Sequence, residues 1–222
     1  MLLPTSTVGR KLVMAITGQV LVLYIVFHIA GNSSLFFHKL NAYVTALSTL
    51  PWFVWGGRIV LVAAFILHSW YGALLKLENN TAKPEPYAVT RFRKATLSGR
   101  YQIWTGAVIA AFLVYHLLQF TFQITDTSIA AETHFDALGR ADVAMMVVKS
   151  FQRLFISGIY MLSLAALGLH LLHGIQSSFQ TWGLNNDRSL PIIERIGMLA
   201  SAVLFLWYIA IPVTIFTGFL RQ

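Results

Sequence analysis

The chain has 222 residues, of which 57% are hydrophobic and 11% charged, and its mean hydropathy is +0.68. So much apolar surface excludes an ordinary soluble domain and predicts an integral membrane protein. It has no cysteine, which excludes disulfides, thiolate-held iron–sulfur clusters and covalently attached haem. The net charge of +8 is read as topology and headgroup contact rather than nucleic-acid binding.

Five apolar runs reach the ~20 residues that a membrane crossing requires. In chain order they are 11–30, 57–77, 101–124, 154–177 and 196–220, predicted as long helices of one domain spanning residues 1–222. The first run is too long for the core of a cleavable signal and lacks a small-residue cleavage pattern after His28, so it is expected to stay as a span. The segment 38–54, interrupted by Pro51, reads as a short interfacial helix. Trp52, Trp55, Tyr101, Trp104 and Trp182 fall near the expected borders, where amphipathic rings prefer to lie.

The sixteen Lys and Arg residues set the orientation. With the N-terminus in the cytoplasm, ten lie inside: Arg10, Lys11, Lys76, Arg188, Arg195 and the run Lys83, Arg91, Arg93, Lys94 and Arg100. Six lie outside: Lys39, Arg58, Arg140, Lys149, Arg153 and Arg221. The positive-inside rule therefore predicts a cytoplasmic N-terminus.

Four of the spans each carry a histidine deep within them: His28, His68, His116 and His170. Ionisable residues inside spanning helices are costly and mark function. At ~1.5 Å rise per residue, His28 and His116 lie about 24 and 23 Å from the cytoplasmic ends of their spans. His68 and His170 lie about 14 and 11 Å from theirs. The four thus sort into an outer pair and an inner pair, about 10 Å apart in depth. Two pairs at two levels fit the axial ligands of two non-covalent b haems, whereas a zinc site needs its ligands converging at one level. His173, three residues beyond His170, lies on nearly the same helical face; either could point at the inner haem, with His170 the deeper. Gly18 and Gly106, each ten residues before a histidine, are read as leaving room for a macrocycle. Arg10 and Lys11, at the inner end of the first span, are further candidates for cofactor binding.

Three segments now resemble a known family. They are the opening from Ser6 to Gly18 running on to His28-Ile29-Ala30-Gly31-Asn32, Trp104-Thr105-Gly106 leading to Tyr115-His116, and the stretch from His170 to Asn186. Together they resemble the five-helix, two-haem cytochrome b subunits of succinate dehydrogenases and fumarate reductases. The resemblance implies an anchor in the bacterial cytoplasmic membrane for a flavoprotein subunit and an iron–sulfur subunit on the cytoplasmic face. It implies electron transfer to or from a quinone, with menaquinone expected, through an inner haem on His68 and His170 and an outer haem on His28 and His116. It also favours His170, four residues before Gly174, over His173, and makes the basic inner surface a docking face. Quinone chemistry moves protons, so polar groups at the outer border are candidates for that site: His38, Lys39, Asn41 and Arg58, with Asp126 and Arg153 beside them. Some fumarate reductases of this type carry a glutamate two positions before the helix-four ligand; here Gly168 stands there, so that proton path is not expected. The rival readings are a two-haem cytochrome b serving a hydrogenase, formate dehydrogenase or nitrate reductase, and a haem-free transporter.

Overall fold

A computed structural model describes residues 6–82, 97–184 and 186–221. Lys83, Arg91, Arg93 and Lys94, four of the expected docking residues, lie outside the described residues. Among the described residues there is no strand, only an isolated bridge between Phe135 and Ala141. The protein is all-α, with five helices long and apolar enough to cross a membrane.

The first spanning helix, α1 (Thr7–Asn32), starts where the Ser6 hydroxyl accepts the Gly9 N–H at 3.0 Å. A 3₁₀ turn, Ser33–Phe37, follows and ends at His38 in the left-handed region (φ 55°). Next come α2 (Leu40–Ser48) and the second span, α3 (Pro51–Thr81). Pro51 was expected to interrupt an interfacial helix; instead it opens α3, because a residue without an N–H and with fixed φ suits the first helical position. The span therefore starts six residues before Gly57. A short helix α4 (Leu97–Arg100) leads into the third span, α5 (Gln102–His116). That span continues through a π turn, Leu117–Thr121, directly after the histidine.

The connection that follows carries a helix the hydropathy pattern did not separate, α6 (Val143–Phe151), capped by the Asp142 carboxylate on the Met145 N–H at 3.0 Å. The fourth span is α7 (Leu154–Thr181), closed by Gly183 at φ 76°, a backbone conformation that favours glycine. The fifth, α8 (Ser189–Phe216), begins seven residues before the expected Ile196, since its first two turns carry Glu194 and Arg195 and read as polar.

α1 packs along α3 and along α7, α5 along α7, and α3 touches α5 more lightly. These four helices form a ring in which α1 faces α5 and α3 faces α7 across the centre. α8 lies outside the ring against α7. Only 11–28% of each apolar window is buried within the chain. Outward-facing side chains such as Ile59, Trp70, Phe155 and Leu162 are exposed, as a lipid-facing surface requires. Polar bonds fasten the helices where no hydrophobic drive exists between them. Gln19 donates to Ser178 Oγ, Tyr208 to the Ile25 carbonyl at 2.7 Å and Trp207 to Ser33 Oγ at 2.7 Å, while Arg10 pairs with Glu78.

At the end of the bundle where α1 finishes, Asn41 ties α2 to the α6 connection. Its amide donates to Asp142 at 2.9 Å and Asp136 at 3.3 Å, and its carbonyl accepts the Ala144 N–H at 2.9 Å. Replacing Asn41 by alanine leaves the buried Ala144 N–H without its partner, takes one hydrogen bond each from Asp136 and Asp142, and lowers stability by about 2 kcal/mol, measurable as a depressed thermal midpoint in detergent. Asp136 is itself held well below the usual carboxylate range, first by the Arg140 guanidinium and then by the Arg140 and Leu138 N–H groups. A lowered carboxyl contributes stability above its unfolded value, about pH 4, and loses it as pH falls through the folded one. The gap in thermal midpoint between wild type and Asp136→Asn is therefore full at pH 6 and shrinks progressively below about pH 4.

Candidate functional site

The four deep histidines meet in two pairs. The His68 and His170 rings have centroids 6.2 Å apart, and the His28 and His116 rings 5.8 Å apart. Each pair joins helices facing one another across the ring, α3 with α7 and α1 with α5. All four imidazoles are half-buried.

The inner pair is seated on the backbones of neighbouring helices. His68 donates from Nδ1 to the Met14 carbonyl at 3.0 Å, and a Cβ on Gly18 would stand 3.1 Å from its Cε1. The missing side chain at Gly18 is what lets the ring reach a carbonyl one turn earlier on α1. His170 repeats the arrangement on α5. A Cβ on Gly106 would lie 3.4 Å from its Cε1, and its Nδ1 lies 3.1 Å from Thr105 Oγ1. The Thr105 hydroxyl gives its proton to its own helix, at the Gln102 carbonyl 3.0 Å away, so it accepts from His170. Gln102 in turn donates to the His170 carbonyl at 3.2 Å.

The two glycines thus contact the histidine of the adjacent helix, not the one ten residues ahead in their own. In both cases the missing side chain admits an imidazole to the backbone. Because these seats mark the inner level, ten residues from His28 and His116, the two levels lie about 15 Å apart along the helices. That exceeds the ~10 Å expected from span ends.

The outer pair is surrounded by aromatic rings. His28 stacks on Tyr24 (5.4 Å) and Tyr208 (6.4 Å), with Nδ1 3.4 Å from the Tyr24 hydroxyl. His116 packs against Phe112, Phe120 and Tyr160. Its Nδ1 lies 3.1 Å from the Tyr160 hydroxyl, which donates to Gln119 Oε1 at 3.0 Å. The π turn after His116 holds Gln119.

Every one of the four therefore has Nδ1 engaged, and none has a hydrogen bond at Nε2 among the described residues. Occupying Nδ1 as a donor fixes the tautomer and leaves the Nε2 lone pair free for a metal. An iron with an imidazole nitrogen about 2 Å away on each side leaves the ring centres about 6 Å apart, as observed. Among the described residues no cluster of three or more His, Cys, Asp or Glu could hold a metal ion. Two opposed imidazoles with no further protein ligand are too few for four-coordinate zinc; they would fit a haem, with His68 and His170 holding one and His28 and His116 the other.

The remaining candidates separate. His173 is half-buried and faces no other histidine ring among the described residues. Arg10 is engaged with Glu78, and Lys11 is exposed. His38 and Asn41 share an open recess of about 360 Å³ with Asp136, Arg140 and Asp142, but the polar atoms of Asn41 are committed to the fold. Lys39 is exposed, and Arg58 lies over the Trp55 ring at 4.9 Å. A smaller cavity of about 60 Å³ lies beside the outer pair, bordered by Tyr115, Gln119, Ser150 and the Asp126–Arg153 ion pair. Hydrogen bonds from Ser128 and Arg153 hold the Asp126 carboxyl below its usual range. Nothing in the sequence marks Tyr160, Gln119 or the Met14 carbonyl, since one more aromatic or amide in an apolar helix is unremarked, and Thr105 stands out only as part of the Trp104-Thr105-Gly106 segment. Comparison with family models, with curated proteins and with solved structures returns no match for this chain.

Proposed function

We propose that this chain is a di-haem membrane cytochrome b: the anchor and electron-transfer subunit of a succinate:quinone oxidoreductase or quinol:fumarate reductase. The observation that carries the cytochrome reading is the pair of opposed imidazoles at each of two levels, every one with Nδ1 engaged and Nε2 open. His68 and His170 hold the inner haem; His28 and His116 hold the outer. Haem bound there supplies one-electron chemistry that no side chain of this chain carries. The chain's own residues fix the tautomers, orient the rings and exclude water with Phe112, Phe120, Tyr24 and Tyr208.

The choice of complex rests on the resemblance of the Ser6–Asn32, Trp104–His116 and His170–Asn186 segments. In that reading the N-terminus is cytoplasmic in a bacterial inner membrane. The flavoprotein and iron–sulfur subunits dock on the basic end of the bundle, and a quinone, menaquinone by resemblance, reacts within the membrane. The test is a dithionite-reduced minus oxidised spectrum of the purified protein with pyridine haemochrome quantitation. Two b haems per polypeptide, co-purifying with a subunit that carries covalently bound flavin, support the proposal. A colourless protein refutes the cytochrome reading, and two haems with a hydrogenase or formate dehydrogenase partner refute the assignment of the complex.

A further inference from the structure

The four histidines do not give Nδ1 to equivalent acceptors. His68 donates to a backbone carbonyl and His170 to a threonine hydroxyl that is bonded into its own helix. His116 donates to the phenol of Tyr160, a side chain from another helix. Tyr160 is 5% exposed and Gln119 6%. The phenol ring is boxed by Phe112 at 4.9 Å and Phe151 at 4.8 Å, both edge-on, with Phe120 at 5.9 Å, so it has no room to swing away.

A phenol has one proton, and Tyr160 gives it to Gln119 Oε1. Its oxygen is thereby left to accept from His116, and donating the proton onward makes that oxygen a better acceptor. An acceptor at Nδ1 raises the basicity of the ligating Nε2 and favours the oxidised metal.

We propose that Tyr160, held by Gln119, is the positioning residue of the His28–His116 centre. It fixes Nε2 of His116 as the metal-facing nitrogen and holds the reduction potential of that centre down. The inference rests on the di-haem reading above. It also separates the two levels: at the inner centre His68 gives Nδ1 to a main-chain carbonyl that no substitution removes and His170 to a threonine hydroxyl, whereas at the outer centre His116 gives it to a buried phenol.

The experiment is a spectroelectrochemical titration of the purified holo-complex as wild type, Tyr160→Phe and Gln119→Leu, with haem counted on the same samples. Tyr160→Phe keeps the packing and removes the acceptor. It is expected to retain two haems and to make one of them about tenfold easier to reduce, ~59 mV upward for a one-electron couple, while the other stays in place. Gln119→Leu, which leaves the phenol, is expected to shift the same centre in the same direction by less. Two retained haems with neither potential moved, or with both moved equally, would overturn the proposal. If Tyr160→Phe loses a haem, Gln119→Leu decides, and an unshifted potential there overturns it. A wild-type protein without haem sinks the di-haem reading and this inference with it; the haem count distinguishes that failure from the others.

Discussion

If the chain binds two haems as proposed, replacing His170 by alanine is expected to remove one of them and replacing His173 by alanine to remove neither. The two residues stand one turn apart on α7, and apolar periodicity alone treats them alike. The structure does not. His170 faces His68 across the bundle at 6.2 Å, rests on Gly106 and has Nδ1 fixed by Thr105. His173 has no opposed ring among the described residues and lies nearer the end of its helix.

Pyridine haemochrome per polypeptide should therefore read two for wild type and His173→Ala, and one for His170→Ala and His68→Ala. The double variant His68→Ala/His170→Ala should still read one, because both side chains serve the same centre. Combining His170→Ala with His116→Ala should read close to none. A His173→Ala protein holding a single haem would move the inner ligand by a turn and leave the Thr105 hydrogen bond without a role.

The spans were legible because a run of twenty apolar residues has few alternatives, and the levels of the histidines because helical rise is constant. Counting from the span ends puts His28 with His116 and His68 with His170, and the rings meet in those pairs. The precise starts were harder to read. Pro51 is equally compatible with ending one helix and opening another, and only the α2–α3 turn distinguishes them. α6 was hidden because its nine residues, though mostly apolar, are too few to read as a span.

Beyond those two histidine pairs, contacts between helices were not legible. Asn41 was a plausible polar group at a membrane border until Asp136, Asp142 and the Ala144 N–H were found around it. Gly18 and Gly106 stood out for their spacing. A glycine, however, announces only a missing Cβ, and which ring occupies the space is decided by a residue fifty or more positions away in the sequence.

The same contact gives Gly18 an expected effect on haem binding at the proposed inner centre, although it ligates nothing. A Cβ there would stand 3.1 Å from His68 Cε1 and 3.3 Å from Nδ1, closer than a carbon and an imidazole normally approach. Alanine asks the ring to yield by a few tenths of an ångström, which stretches the 3.0 Å bond to the Met14 carbonyl but leaves the imidazole opposite His170. Leucine fills the seat outright: the imidazole must lift off α1, lose the carbonyl that fixes its tautomer and turn Nε2 away from the bundle axis.

Gly18→Leu should hold one haem, Gly18→Ala two, and Gly106→Ala two with a smaller perturbation, since its Cβ would lie at 3.4 Å. Gly72→Ala, where a Cβ would meet only Met14 Sδ at 3.8 Å, serves as the control for an added side chain in the same bundle. The haem retained by Gly18→Leu should keep the wild-type potential of the outer centre, about 15 Å away along α1. If Gly18→Leu kept both haems, the imidazole would not depend on its seat against the backbone, and the matched glycine spacing in α1 and α5 would reduce to ordinary helix packing.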